Sequence, residues 1–87
     1  MAAYRLLIMP SAAKEIAGAG KKQDRQRIVA RIQALAIDPR PQGCEKLAGG
    51  AERYRVRHGD YRIVYSIDDS THEVVVVRIG HRREVYR

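Results

Sequence analysis

The sequence predicts an α+β fold in which two N-terminal helices pack on one face of a mostly antiparallel sheet, in the order β-α-α-β-β-β. Three observations support this prediction. An apolar run near the start ends at a proline, two stretches of helical spacing follow it, and three segments of alternating residues fill the second half. Two helices that precede a meander of strands can cover only one face of the sheet, so the other face is expected to stay partly open.

The first strand and the first helix occupy the opening of the chain. Residues 4–9 (YRLLIM) form a short apolar run that stops at Pro10, as is typical of a buried strand that leads into a turn. Ser11 is expected to cap a short helix over residues 12–17, which two following glycines end.

The second helix has the clearer pattern. Asp24 is expected in its first turn, and Asp38-Pro39 stops it. The apolar residues at helical spacing are Ile28, Ile32, Leu35 and Ala36. The exposed face carries Arg25, Arg27 and Arg31. A basic helix face is usually solvated, so this face is not included in the candidate site.

Residues 40–50 contain two glycines in succession and a further proline and glycine, which indicates a loop anchored by Leu47. Three strands are predicted after it, over residues 53–58, 61–67 and 73–79, with a polar loop before the last strand. We expect the whole chain, residues 1–87, to form a single domain, because 87 residues are too few for two.

The first two of these three strands form the most informative segment. Gly59-Asp60 predicts a two-residue hairpin turn, which places Arg57 opposite Arg62 and alternates the side chains between two faces. One face would carry the core-forming residues Tyr54, Val56, Tyr61, Ile63, Tyr65 and Ile67. The other would carry Arg53, Arg55, Arg57 and Arg62, with Val64 and Ser66.

This row of four arginines predicts an anion-binding surface. No carboxylate interrupts it within the hairpin, and like charges directly opposite each other, as Arg57 and Arg62 would be, destabilise a sheet. A phosphate or carboxylate from a partner would remove that repulsion. The alternative is an ordinary solvated face on which arginine stems cover apolar surface.

Composition restricts the partners and the compartment. The formal charge of +7 and the pI near 10.1 favour a polyanionic partner, either a nucleic acid or an acidic protein. Cys44 is the single cysteine, so no intramolecular disulfide can form, and the histidines do not have zinc-site spacing with it. No metal site is therefore expected. The longest early apolar run is too short for a signal peptide or a membrane span, so a cytoplasmic protein is expected.

The C-terminal segment adds further candidate residues. If the last strand keeps its register up to Gly80, Arg78 and Arg82 share a face, and His81 and Tyr86 lie close to that edge. Arginine binds phosphate through two hydrogen bonds, histidine transfers protons near neutral pH, and tyrosine can stack on an unpaired base. These are the groups that RNA chemistry uses.

On these residues the chain resembles the RelE/ParE superfamily of toxins from type II toxin-antitoxin systems, and within it the RelE branch. The resemblance rests on the opening strand and helices, the stretch LAIDPRPQGCEKLAGG, the hairpin YRVRHGDYRIVYSIDD and the ending HRREVYR. It implies a ribosome-dependent endoribonuclease that enters the ribosomal A site and cuts messenger RNA there. The 2′-hydroxyl would attack the adjacent phosphate without any metal or other cofactor.

The resemblance also implies roles for individual residues. The expected catalytic residues are Arg62, Arg82, His81 and Tyr86. Among the expected substrate-binding residues, Arg55 and Arg57 match basic positions of the family, whereas Arg53 and Arg78 are included because of their places in the predicted strands. Arg62 would stabilise the transition state, Arg82 would assist the leaving oxygen, and Tyr86 would orient or stack on the base.

One departure from the family affects the general base. Some relatives carry lysine at the position of Arg55 or Arg57, and lysine can lose a proton where arginine effectively cannot. The base would then be His81, His58 or Tyr86. His81 is preferred, because the predicted pairing places His58 on the core-forming face of the hairpin.

Two other functions remain open for this superfamily. A ParE-like toxin would bind and inhibit DNA gyrase without hydrolysis, and a silent member would only bind its antitoxin and help it to repress their operon. All three readings imply a small cognate antitoxin whose acidic, amphipathic segment wraps the domain. Operator DNA would be reached only through that antitoxin, and no membrane is expected to be involved.

Overall fold

The computed structural model of the protein describes residues 3–48 and 52–81. The elements are β1 (Arg5–Ile8), α1 (Pro10–Ala17), α2 (Lys22–Ile37), β2 (Glu45–Lys46), β3 (Arg53–His58), β4 (Tyr61–Asp68) and β5 (Glu73–His81). The strands form one five-stranded sheet in the order β1-β5-β4-β3-β2. The predicted α+β arrangement is confirmed, with one additional short strand.

The sheet is antiparallel except at one edge, where β1 pairs with β5 in parallel. Parallel neighbours need a crossover connection, and the two helices lie in the segment that leaves β1. The helices and the inward side of the sheet enclose the core. Its buried members include Ala12, Ile28, Ile32, Leu35, Val56, Ile63, Tyr65, Ile67, Val74, Val76 and Ile79. The opposite face of the sheet, which we call the open face, carries the polar side chains of β3.

The first helix begins earlier than the sequence indicated. Met9 is the N-cap of α1, without a side-chain hydrogen bond, and Pro10 is its first residue. The prediction that Ser11 caps this helix is therefore wrong. Proline suits the first helical position because its ring fixes φ near the helical value and it has no N–H that would need a partner.

The start of α2 is held by two polar side chains. Asp24 lies in the first turn, as predicted, and its carboxylate accepts the backbone N–H of Lys21 at 3.4 Å. Arg25 donates to the backbone oxygens of Ala19 at 3.2 Å and Gly20 at 3.0 Å. One arginine of the basic helix face therefore stabilises the turn between the helices.

The stretch predicted as a loop over residues 40–50 contains β2. Glu45 pairs with Arg55 and Lys46 with Tyr54, and the Leu47 N–H donates to the Arg53 oxygen at 2.8 Å. The prediction of a loop throughout was wrong because a two-residue strand acquires its hydrogen bonds from β3, and its own residues carry no alternating pattern. This strand brings a carboxylate onto the open face.

A cluster around Arg40 joins distant parts of the chain. Its guanidinium binds both carboxylate oxygens of Asp69, at 2.9 and 3.3 Å, and donates from Nε to the Tyr54 hydroxyl at 3.2 Å. Tyr4 donates its hydroxyl to the same carboxylate at 2.7 Å. The cluster therefore connects the loop after α2 to β3, to the β4–β5 turn and to the start of the chain. In the described part of the chain, no helix is long and apolar enough to span a membrane.

Candidate active site

The predicted hairpin register is confirmed in every pair. Arg57 lies opposite Arg62, Arg55 opposite Val64 and Arg53 opposite Ser66. Gly59 adopts a φ of 59° in the turn, a conformation that residues with a Cβ rarely take. Since cross-strand partners share a face, the four arginines lie together on the open face, and we call them the arginine row.

Arg78 joins this face because β5 contains a bulge. The register shifts from Val64 opposite Arg78 to Tyr65 opposite Val76, which leaves Val77 as an extra residue. Val76 and Ile79 both point into the core, and the bulge reverses the alternation between them. Arg78 therefore shares a face with Val64 and Arg55.

Glu15 of α1 holds this part of β5 at the sheet edge. Its carboxylate accepts the backbone N–H of Ile79 at 2.8 Å and lies 3.6 Å from Nε of Arg78. β1 pairs with β5 only as far as Val76, so the residues of β5 after Val76 have no neighbour in β1. Glu15 supplies an acceptor for that edge and draws the Arg78 guanidinium toward α1.

The four side chains of the arginine row differ in solvent exposure. Arg53 and Arg57 are exposed, the Arg55 side chain is 17% exposed, and Arg62 is buried with only 4% exposed. Arg62 lies opposite Gly80, which has no side chain to compete for the space beside it. A guanidinium held in a low-dielectric site interacts more strongly with an approaching anion than one in water.

Sequence reasoning missed one charged member of this surface, Glu45. The carboxylate of Glu45 accepts a hydrogen bond from Arg55 at 2.9 Å, and its side chain is 62% exposed. The hydrogen bond from Arg55 lowers the pKa of Glu45 most, and the charges of Arg55, Arg57 and Arg62 lower it further. The sequence offers no strand signal for Glu45, because β2 has only two residues and takes its pairing from β3. The arginine row therefore has a carboxylate beside it.

The two described histidines of the predicted site lie on the other side of the sheet. His58 and His81 are the cross-strand partners of Tyr61 on its two sides, and the His81 and Tyr61 rings meet edge to face at 5.7 Å. His58 lies on the core-forming face of the hairpin, as predicted. The expectation that His81 lies beside the arginines is corrected, because after the bulge His81 falls on the face of Ile79.

A cavity of about 280 Å³ opens on this helix side of the hairpin tip. It is lined by Asp24, Arg27, His58, Gly59, Asp60, Tyr61 and His81. Arg82 and Tyr86, the remaining predicted site residues, lie outside the described residues. Within residues 3–48 and 52–81, no group of three or more histidine, cysteine, aspartate or glutamate side chains could hold a metal ion.

This geometry can bind and neutralise an extended anion. Adjacent arginines on one strand lie roughly 7 Å apart, and those on neighbouring strands about 5 Å apart. Phosphates of a single-stranded nucleic acid and carboxylates of an acidic peptide both fit this spacing. Chemistry on a phosphate also needs a proton acceptor, and Glu45 is a carboxylate within hydrogen-bond distance of the row.

Known proteins resemble this chain along most of its length. The family model described as "ParE toxin of type II toxin-antitoxin system, parDE" matches residues 6–86. Two curated toxins of Mycobacterium tuberculosis match shorter segments: Toxin RelG is 43% identical over 37 residues and Toxin RelE is 47% identical over 34 residues. These segments cover 42% and 39% of this chain, and 42% and 35% of the two relatives.

Solved structures extend the likeness to the whole fold. The archaeal RelE–RelB complex from Pyrococcus horikoshii contains a chain with a TM-score of 0.81 and 26% identity, and the match covers 92% of this chain and 96% of that one. The intact RelBE toxin-antitoxin complex from E. coli gives a TM-score of 0.77 and 27% identity, with 91% and 96% covered. With the family model matched from residue 6 to residue 86, the chain belongs to the RelE/ParE superfamily, as a toxin of a type II toxin-antitoxin system.

Proposed function

We propose that this toxin is a ribosome-dependent endoribonuclease that cleaves messenger RNA in the A site and thereby inhibits translation. The observation that carries the proposal is the arginine row on the open face, with Arg62 buried in it at 4% exposure. A surface that only binds a partner needs charge at its rim. A phosphoryl-transfer site also needs a cation in a low-dielectric position, because charge develops there in the transition state.

The proposed reaction proceeds by attack of the 2′-hydroxyl on the adjacent phosphate. The 2′-oxygen forms a bond to phosphorus, the bond from phosphorus to the 5′-oxygen breaks, and a 2′,3′-cyclic phosphate remains. Arg62 would neutralise the pentacoordinate phosphate, while the exposed Arg53 and Arg57 would hold the flanking RNA backbone. Arg55 and Arg78 would add to that binding, although each already contacts a carboxylate.

Residues of the C-terminal segment complete the proposal. Arg82 would stabilise the departing 5′-oxygen, and Tyr86 would stack on or orient a base of the messenger. The sequence favours His81 as the proton acceptor, but its ring lies against Tyr61 on the helix side. The proposed reaction therefore does not use His81 for proton transfer.

We also propose a cognate antitoxin as the protein partner. The relatives from P. horikoshii and E. coli were solved as complexes of RelE with RelB, which supports a small RelB-like antitoxin for this chain. Acidic side chains of such a partner would meet the arginine row, and operator DNA would be reached only through the antitoxin. Action on translating ribosomes would place the protein in the cytoplasm.

A second candidate function is inhibition of DNA gyrase by binding, favoured by the description of the matched family model as ParE toxin. One experiment separates the two. The purified chain is incubated with programmed ribosomes and, in parallel, with gyrase and relaxed plasmid DNA. The nuclease proposal predicts cleaved messenger and unimpaired supercoiling. Intact messenger together with blocked supercoiling would overturn it in favour of the gyrase reading.

A further inference from the structure

The chemistry proposed above needs a group that removes the proton of the 2′-hydroxyl, and the arginine row cannot provide it. Arginine stays protonated at any pH that a protein tolerates. His58 and His81 lie on the helix side with Tyr61. Among residues 3–48 and 52–81, the proton acceptors that remain are the carboxylates that reach the open face.

These carboxylates differ in where they lie on the sheet. Glu15 is engaged with the backbone N–H of Ile79 and with Arg78 at the sheet edge. Asp68 and Glu73 pair with each other where β4 meets β5, at the end of the sheet away from Arg57 and Arg62. Glu45 differs from all three, because it is the cross-strand neighbour of Arg55 within the row.

We propose that Glu45 is the general base of the cleavage reaction. This inference rests on the proposed nuclease function and names a catalytic residue for it. One oxygen of the carboxylate accepts the hydrogen bond of Arg55 at 2.9 Å, which fixes the orientation of the group. The side chain is 62% exposed, so a ribose that approaches along the row can reach its other oxygen.

Distances within the sheet suit this role. Glu45 lies one strand spacing from Arg55, which is about 5 Å, and Arg57 lies two residues further along β3, which is roughly 7 Å. A scissile phosphate bound by Arg57 and Arg62 would place the preceding ribose over Arg55 and Glu45. A base must come within about 3 Å of the hydroxyl that it deprotonates, and this placement allows that approach.

The proton balance is as follows. The Glu45 carboxylate takes the proton of the 2′-hydroxyl while the 2′-oxygen bonds to phosphorus. The bond to the 5′-oxygen breaks, and the leaving oxygen receives a proton from water. Glu45 then returns its proton to solvent, which leaves the protein unchanged.

The neighbouring arginines keep Glu45 in the form that can accept a proton. The groups that face it are Arg55 and Arg57 from β3 and Arg62 from β4, and together they lower the pKa of its carboxyl. The group is therefore ionised near neutral pH. A substrate phosphate that draws Arg55 away would raise the pKa of Glu45 again and make it a stronger base when the substrate is bound.

The test uses Glu45→Gln, which keeps the size of the side chain and a hydrogen-bond acceptor but cannot take the proton. Glu73→Gln is the matched control, because Glu73 also pairs across strands with an arginine, Arg5 at 3.3 Å, at the other edge of the same sheet. Single-turnover cleavage of ribosome-bound messenger is measured at saturating protein. Binding is measured separately with a messenger that carries a 2′-O-methyl group at the cleavage site.

We expect Glu45→Gln to reduce the cleavage rate by about 100-fold or more while binding of the 2′-O-methyl messenger stays the same or tightens. Glu45→Asp should recover part of the rate, and Glu73→Gln should cleave like the unsubstituted protein. Equal cleavage rates for Glu45→Gln and the unsubstituted protein would overturn the inference. A loss of binding that accounts for the whole loss of rate would also overturn it.

A second substrate distinguishes a base from an acid. Sulfur in place of the bridging 5′-oxygen leaves without needing a proton, so it rescues variants that lack an acid. Glu45→Gln should remain slow with this substrate, and rescue would contradict the assignment. If the unsubstituted protein does not cut messenger at all, both the proposed function and the assignment of Glu45 fail. If it cuts and Glu45→Gln cuts equally well, only the assignment of Glu45 fails.

Discussion

Arg57 of β3 lies directly across the ladder from Arg62 of β4, and the two differ sharply in exposure: Arg57 is exposed, whereas Arg62 is buried at 4%. The difference follows from their neighbours. Arg62 lies on the central strand beside Gly80, whereas β2 pairs with Tyr54 and Arg55 and does not extend to Arg57. One guanidinium is thus placed to act in a low-dielectric site and the other to meet ligand in solvent.

Arg62 should therefore be the most sensitive position of the arginine row. Arg62→Ala is expected to reduce messenger cleavage on the order of 100-fold, because a preorganised cation in a water-poor site stabilises developing charge strongly. Arg62→Lys should recover little, since a single ammonium cannot reproduce the planar fork of a guanidinium. The assay is single-turnover cleavage, with circular dichroism to confirm folding.

Arg5→Ala serves as the control for Arg62, because Arg5 is exposed on the edge strand and paired with Glu73. It should leave cleavage unchanged. Full activity in folded Arg62→Ala would remove the arginine row from the catalytic site.

Arg57 should contribute through phosphate binding in solvent. Binding of a short single-stranded RNA, measured across a series of salt concentrations, should depend less steeply on salt in Arg57→Gln. The slope of log affinity against log salt should fall by about 0.7, the value for one phosphate contact. Arg27→Gln, on the exposed face of α2, should keep the slope. Identical slopes for Arg57→Gln and the unsubstituted protein would show that Arg57 does not touch the RNA backbone.

The Arg40–Asp69 pair should make stability depend on acid pH. Hydrogen bonds from Arg40 and then Tyr4 lower the pKa of Asp69 to about 2, from the ordinary 3.8. The unfolded chain then binds the proton first, so the stabilisation is complete above the ordinary pKa and is lost as pH falls through about 2. Urea unfolding at a series of pH values between about 5 and 2 measures this loss of stabilisation.

Asp69→Asn should reduce the dependence of stability on pH in that window. In an Arg40→Met background, the same substitution should have little further effect, because its main partner is already gone. If Asp69→Asn and the unsubstituted protein lose stability in parallel as the pH falls, the pair does not account for the acid sensitivity.

His81 should not act as the proton acceptor. Its ring packs edge to face on Tyr61 at 5.7 Å, on the side of the sheet away from Arg62. His81→Gln is expected to keep messenger cleavage within a few-fold of the unsubstituted protein, and its rate should vary with pH in the same way. A loss of about 100-fold at saturating protein would instead restore His81 as the base.

The hairpin could be predicted from the sequence because a two-residue turn fixes the register of both its strands. Gly59-Asp60 determined the placement of Arg57 and Arg62, and all pairs agree. The bulge at Val77 could not be predicted, because four consecutive valines, Val74 to Val77, show no alternation from which a register could be read.

Three features of the site depend on contacts between distant parts of the chain. The face on which His81 lies is set by the bulge in β5. Glu45 joins the arginine row only because β2 pairs with β3, and two residues in a stretch rich in glycine and proline give no strand pattern of their own. The burial of Arg62 likewise follows from its central strand and from Gly80, which the sequence places far from it.

The proposal of messenger cleavage is tested most directly by mapping messenger ends in cells that express this chain alone. Primer extension on several translated messengers should reveal new 5′ ends inside codons, and the same messengers should stay intact when their start codons are removed. Arg62→Ala should abolish these ends. Intact messengers alongside linearised or relaxed chromosomal DNA would contradict the proposal and assign the toxin to gyrase.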